Sequence, residues 1–310
     1  MSEFCDRIDF AMPSPYELII FYKYTPVTDV ERFVVWQKKT CTELGLLGRI
    51  LIAQEGINGT VEGTSESIME YERRMHALDR FGNFSDVWFK SSPSDGKSFE
   101  KLKVKARKEI VATGLSLEQD IDPNKITGIH IEAEELKQWI EQGEDFDIID
   151  MRNDYEYAVG HFVGSHESGM KNFRDLPKIV ADLTSLKEKK VLTVCTYGVR
   201  CEKASGYLKQ QGFKNVYQLH GGIGTYMKQY PGEDFLGSLY VFDDRITERF
   251  TEAYQKIGVC FSCQSTSETF GNCAWHICHK QMIVCDNCAC HAQNIFCSEE
   301  CKRARQNKGI

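Results

Sequence analysis

Between residues 128 and 235 the chain alternates short β-rich runs with helical ones, and this alternation restricts the fold more than any other feature. "AEELKQWIEQG" has helical spacing, "FDIIDMR" reads as a strand, and "VLTVC" is a second strand ending at Cys195. "CEKASGYLKQQGF" is helical again, "NVYQLHGG" is a strand closed by a glycine turn, and "IGTYMKQYPG" is a last helix. Strands that alternate with helices predict a parallel sheet with helices on both faces. In such sheets functional sites form beyond the carboxyl ends of the strands. Cys195 sits at one of these ends.

The flanks follow other rules. "YELIIFYKY" (16–24) predicts a buried strand and "VTDVERFVVWQKKTCTELG" a helix stopped by glycine. "RILIAQEGINGTVEG" predicts two strands around a turn made by Gly56, Asn58 and Gly59, and "SESIMEYERRMHALDRFG" a helix capped by Ser65. With later strands in "SDVWFKSS" and "FEKLKVKARKEIV", the order β-α-β-β-α-β predicts a ferredoxin-like (acylphosphatase-like) α+β domain over residues 1–115. A polar linker spans 116–127, the α/β domain 128–240, and a Cys-rich segment 241–310.

The loop after the second strand, "CTYGVR", comprises Cys195, Thr196, Tyr197, Gly198, Val199 and Arg200 and leads into a helix expected to begin at Cys201. A loop wound between a strand end and a helix N-terminus turns backbone N–H groups toward its centre. Arg200 adds a cation. Both favour a thiolate at Cys195, which makes that sulfur a nucleophile or a persulfide carrier. A buried apolar thiol is the bland alternative. Only four residues separate Cys195 from Arg200, one fewer than in cysteine phosphatases, so the loop suits a single sulfur better than a phosphate. This loop resembles the active-site loop of the rhodanese family. "IDMRNDYEYAVGHFVGS" resembles that family's D-x-R-x-x-x-E-x-x-x-G-H segment through Asp150, Arg152, Glu156, Gly160 and His161, and "GFKNVYQLHGGI" its closing segment. Asp150, Arg152 and Glu156 read as an ion-pair network that holds the loop. Cys201 reads either as packing or as a resolving thiol, and His161 and His220 as structural.

Nine of the 13 cysteines fall between Cys260 and Cys301, while Cys5 and Cys41 are isolated and read as bland thiols. The N-terminus carries acids and lacks a signal-peptide pattern, so a cytoplasmic protein is expected and metal ligation outranks disulfides. Cys260, Cys263, Cys273, Cys278, Cys285, Cys288, Cys297 and Cys301 form the preferred set for one to two structural zinc ions, omitting Cys290. His276, His279 and His291 are alternative ligands by type, a reduced tail without metal is the bland reading, and an iron–sulfur cluster is a third. No apolar run is long enough for a bilayer, so no membrane partner is expected.

Net charge is −7, so binding of nucleic acid would need a local basic patch. "KLKVKARKE" supplies one: Lys101, Lys103, Lys105 and Arg107 alternate with Leu102, Val104 and Ala106. A cationic strand face can neutralise phosphates, although lysines also guard sheet edges. "AQEGINGTVEG", "KLKVKARKEIV" and "CTYGVRCEKAS" together resemble the bacterial tRNA uridine(34) hydroxylase family over nearly the full length. The family loop reads C-T-G-G-I-R-C-E-K-A-S, and here Tyr197 and Val199 replace Gly and Ile. Tyr197 would narrow the pocket or stack on a base. The resemblance implies 5-hydroxylation of the wobble uridine of tRNA with molecular oxygen as co-substrate, tRNA rather than DNA as partner, and a sulfur donor or reductant of unknown identity. A thiosulfate-type sulfurtransferase and a zinc-bearing interaction module are the competing readings.

Overall fold

The structure is a computed structural model describing residues 15–116, 119–290 and 294–307. Cys5 and His291 lie outside the described residues. The chain divides into two compact units that meet in sequence at Ile110 and Val111.

The first unit contains β1 (Tyr16–Tyr24), α1 (Val30–Glu43), β2 (Leu47–Ala53), β3 (Gly56–Thr64), α2 (Ser65–His76), β4 (Phe89–Ser94) and β5 (Leu102–Ala106). Its sheet order is β4-β1-β3-β2-β5, a ferredoxin-like sheet extended by β5, which runs parallel to β2 at the edge. Asp29 starts α1 by accepting the Arg32 N–H at 3.0 Å. Phe33 and Val34 of α1 and Ile68, Tyr71 and Met75 of α2 share a core with Phe21, Ile50, Ile57 and Val61 of the sheet. Each such apolar side chain contributes about 1.5–3 kcal/mol by leaving water, and this one-sided burial leaves the opposite sheet face without helices.

Two local expectations are corrected here. The β2–β3 turn is made by Gln54 and Glu55, whereas Gly56, Asn58 and Gly59 lie inside β3. Gly59 is needed in the strand because a Cβ there would meet the Phe21 ring at 2.5 Å. The α2 cap is Thr64, which accepts the Ser67 N–H at 3.2 Å, and Ser65 is already helical.

The second unit runs β6 (Ile129–Ile131), α3 (Ala133–Gln142), β7 (Asp147–Asp150), α4 (Asp154–Val159), β8 (Gly160–Phe162), β9 (His166–Glu167), α5 (Leu176–Asp182), β10 (Lys190–Val194), α6 (Val199–Gln210), β11 (Asn215–Leu219) and α7 (Gly222–Gln229). The sheet order is β6-β11-β10-β7-β9 and every pairing is parallel. Leu136 and Trp139 of α3 pack with Ile223 and Tyr226 of α7 in one cluster, and Leu176 and Val180 of α5 with Ala204 and Leu208 of α6 in another. Helices therefore cover both faces, as the alternation predicts. Because β10 is central, its carboxyl end at Val194 opens into a crevice between neighbours rather than at an edge.

The tail continues with β12 (Phe235–Gly237), β13 (Leu239–Tyr240), β14 (Thr247–Glu248), β15 (Phe270–Asn272), β16 (Gln281–Ile283), α8 (Asp286–Ala289) and α9 (Glu299–Asn307). Tyr155 of α4 meets Tyr240 and Phe270 edge-on at 5.1 and 6.3 Å, joining the tail to the α/β layer. Among the described residues no helix is long and apolar enough to cross a membrane.

Candidate active site

The site is built on the loop from Cys195 to Arg200. Gly198 has φ +98, and α6 begins immediately after it, at Val199. The expected start at Cys201 is therefore corrected by two residues: a glycine in the left-handed region can turn the chain directly into the helix. The Gly198 N–H donates to Cys195 Sγ at 3.2 Å. Backbone N–H groups of Arg200 and Cys201 also reach this sulfur.

A second glycine turn supports the loop from behind. Ile223 N–H donates to the Cys195 carbonyl at 2.9 Å and Gly224 N–H to the Thr196 carbonyl at 3.0 Å. A Cβ on Gly222, whose φ is +72, would meet the Cys195 carbonyl oxygen at 2.6 Å, and one on Gly224 would meet the Tyr197 ring at 2.4 Å. These two glycines let the "HGGIG" turn lie against the loop. The sequence shows Gly222 only as a turn residue and Gly224 only as part of a helix, because close approach of two backbones carries no local signal.

Cys195 is fully buried and Arg200 is 7 % exposed. Burial alone would raise the Cys195 thiol; the Cys201 S–H, the Arg200 charge and the backbone N–H donors outweigh it and bring it below the ordinary thiol value. Cys201 moves the opposite way, raised by burial and by the neighbouring Cys195 sulfur. Cys41 offers a contrast: buried without such partners, its thiol is pushed up to about 12. Cys201 was expected to lie outside the loop. It instead hydrogen-bonds the Cys195 sulfur, because the helix starts early enough to bring its first turn into the cradle.

Arg200 is held by Glu156, whose two oxygens accept Nη1 and Nη2 at 2.7 Å each, and Nη2 also reaches Thr196 Oγ1 at 3.0 Å. Asp150 and Arg152 make a second fully buried pair at 2.7 Å, and Arg152 donates to the Gly160 carbonyl at 2.6 Å. Val199 is half-buried on the first turn of α6. His161 stacks on Tyr157 with ring centroids 4.0 Å apart, and His220 meets Glu132 at 2.8 Å. Tyr197 is buried by packing on Gly224, and its hydroxyl donates to Glu248 Oε2 at 2.9 Å. Phe242 lies over the Arg200 guanidinium at 5.6 Å. Glu248 and Phe242 had no signature in the sequence, since their contacts depend on how the tail folds back.

The tail gathers eight cysteines into two sets: Cys260, Cys263, Cys285 and Cys288, and Cys273, Cys278, Cys297 and Cys301, each with sulfurs within 4.8 Å of one another. Successive pairs alternate between the sets. Local spacing could not show this, because it pairs cysteines across some 20 residues. Cys290 stands apart and donates to the Asp286 carbonyl at 3.3 Å. Sulfur separations of 3.5 Å (Cys263–Cys285), 3.5 Å (Cys278–Cys297) and 3.6 Å (Cys297–Cys301) approach the ~3.8 Å edge of a tetrahedron with Zn–S of about 2.3 Å. Backbone N–H groups of Cys285 and Cys297 point at the sulfurs of Cys260 and Cys273, at 3.3 and 3.5 Å, as donors to thiolates do.

Lys101, Lys103, Lys105 and Arg107 are exposed along and beside β5, with Val104 buried between them. They belong to the first unit, apart from the cysteine loop in sequence.

A parallel sheet whose central strand ends in a cysteine loop closed by arginine and a glycine turn defines a rhodanese-like domain, and the rhodanese-like family matches residues 132–229. The UPF0176 acylphosphatase like domain matches 16–110 and the rhodanase C-terminal family 236–302. A curated protein of Cytophaga hutchinsonii, named tRNA uridine(34) hydroxylase, is 41% identical over 288 residues, covering 93% of this chain and 90% of its own. One of Bacillus licheniformis with the same name is 43% identical, covering 94% of this chain and 89% of its own. The chain belongs to the tRNA uridine(34) hydroxylase family. Among solved structures, a rhodanese-like domain protein from Staphylococcus aureus is 26% identical over 32% of this chain and 90% of its own, with a TM-score of 0.27.

Proposed function

We propose that this chain hydroxylates C5 of the wobble uridine in tRNA, with molecular oxygen as co-substrate and Cys195 as the nucleophile or persulfide carrier. The observation that carries the reading is the Cys195 sulfur itself, which accepts the Gly198 N–H and, though buried, is lowered in pKa by the Cys201 S–H, the Arg200 charge and the backbone N–H groups of Cys201 and Arg200. A sulfur so placed forms a bond or bears a persulfide without needing a separate base. Hydroxylation by oxygen leaves one oxygen atom on C5 and releases the other as water, with two electrons from a reductant. Those electrons come from an external thiol or hydride donor, and a sulfane-sulfur donor loads Cys195 if the persulfide is the working form. Nucleoside mass spectrometry of tRNA from cells with and without the gene tests the reading. Plain sulfane-sulfur transfer between small thiols, favoured by the rhodanese-like match alone, predicts thiosulfate turnover in the absence of RNA.

Arg200 acts through its charge, and the pairing with Glu156 keeps that charge fixed. Asp150 and Arg152 support the β7 end from which Glu156 follows. Lys101, Lys103, Lys105 and Arg107 hold the RNA backbone. Reversing the three lysines to Glu should weaken tRNA binding and flatten its salt dependence by about 0.7–0.9 in slope per lost phosphate contact. Unchanged affinity and slope in a folded variant would leave these lysines as guards of the β5 edge.

The two cysteine sets fit one structural zinc ion each. The ions would hold the tail together, where the apolar cluster is small, and so fix the segment bearing Phe242 and Glu248. Elemental analysis of protein purified without chelator should give two zinc per chain. All eight thiols reacting freely, with no metal, would contradict this, and iron in place of zinc would indicate a cluster.

A further inference from the structure

The sheet of the first unit has one face packed on α1 and α2 and one that those helices leave uncovered. Strand register assembles the uncovered face in rows. Lys103 pairs with Arg49, Arg49 with Thr60, Thr60 with Ile20, and Ile20 with Lys90. The next row runs Lys105, Leu51, Asn58 and Tyr22. Arg49, Lys103 and Lys105 are exposed, and among the described residues none of them forms an ion pair. The cations therefore do not stop at the edge strand, as edge guards would. They continue onto β2 at Arg49; Thr60 and Ile20 on the next two strands are uncharged, and Lys90 beyond them is buried. At the opposite side, Lys90 Nζ sits between the rings of Trp88 and Tyr22, at 4.2 and 4.8 Å, and Trp88 is 43% exposed. Five strands place these two ends about 19 Å apart. A cationic side of β5 and β2, set across an uncharged sheet face from an exposed aromatic, is the pattern that takes phosphates along one side and stacks an unpaired base on the other.

We propose that this face is a docking surface for single-stranded RNA, with Arg49, Lys103 and Lys105 on the phosphates and Trp88, backed by Lys90 and Tyr22, as the stacking platform for an unpaired base. The proposal rests on the reading of tRNA as substrate and names the part of it that this face takes: a single-stranded loop, not a paired stem. Duplex bases are already stacked and cannot reach a side-chain ring. Register and exposure add Arg49 and Trp88 to the lysines of β5 as binding residues.

The test uses the full zinc-loaded chain, with fluorescence anisotropy on a uridine-containing RNA stem-loop and on a fully paired RNA duplex of equal phosphate number. Trp88→Ala should weaken stem-loop binding about 5- to 150-fold, the equivalent of one lost base stack, and leave duplex binding unchanged. Trp88→Phe should restore most of the loss. Arg49→Gln should weaken both ligands and reduce the salt slope by about 0.7–0.9. A folded Trp88→Ala protein that binds both RNAs as the parent does, or loses both equally, overturns the platform. If the parent chain restores wobble-uridine hydroxylation in a deletion strain and Trp88→Ala does so equally well, the platform fails while the tRNA reading stands. If the parent restores nothing, the tRNA reading fails, and the anisotropy of Trp88→Ala still decides whether the face stacks unpaired bases.

Discussion

Cys195→Ala should abolish 5-hydroxyuridine formation in tRNA. The expectation is electrostatic first. The Cys195 sulfur receives the Gly198 N–H at 3.2 Å, lies within the field of Arg200 and accepts the Cys201 S–H. Alanine removes the sulfur on which these donors converge. Cys201→Ala should cost less. It removes one donor to the thiolate and leaves the backbone N–H groups and Arg200 in place. The measurement is the 5-hydroxyuridine content of tRNA in a deletion strain carrying each variant. Full modification by Cys195→Ala would refute its role. Loss in Cys201→Ala as complete as in Cys195→Ala would assign the chemistry to the two sulfurs together, as a dithiol–disulfide cycle.

Glu156→Ala should destabilise the second unit by about 3–5 kcal/mol. Glu156 is fully buried and takes both Arg200 nitrogens at 2.7 Å, and its Oε1 also accepts the Asn153 N–H at 3.1 Å. Removing it strands a guanidinium that is 7 % exposed and leaves the α4 cap half-made. Glu156→Gln, which keeps the shape and two hydrogen-bonding atoms, should cost less than the alanine variant. Urea midpoints of zinc-loaded protein read the difference. A change below about 1 kcal/mol in Glu156→Ala would mean that Arg200 finds another partner or reaches water, and that the loop does not depend on this pair.

Much of this was legible in the residues. The α/β alternation, the loop at the end of "VLTVC" and the alternation of Lys101, Lys103 and Lys105 are local patterns of period or spacing, and local patterns survive in a sequence. What was not legible depends on chain segments distant from one another. The interleaving of the cysteine pairs is a matter of how the tail folds. So is the bond from Tyr197 to Glu248: the hydroxyl is anchored on the tail and the ring is seated on Gly224. The misplaced start of α6 had a different cause. Gly198 reads equally well as a loop residue or as a left-handed helix entry, and only the backbone decides.

We propose that the chain oxidises the wobble uridine of tRNA through the Cys195 loop. It is tested most directly by digesting tRNA from a deletion strain, with and without the chain restored, and measuring by mass spectrometry the nucleoside at position 34. The account predicts unmodified uridine in the deletion strain and 5-hydroxyuridine or its derivatives once the chain is restored. The same nucleoside at position 34 in both strains would contradict it.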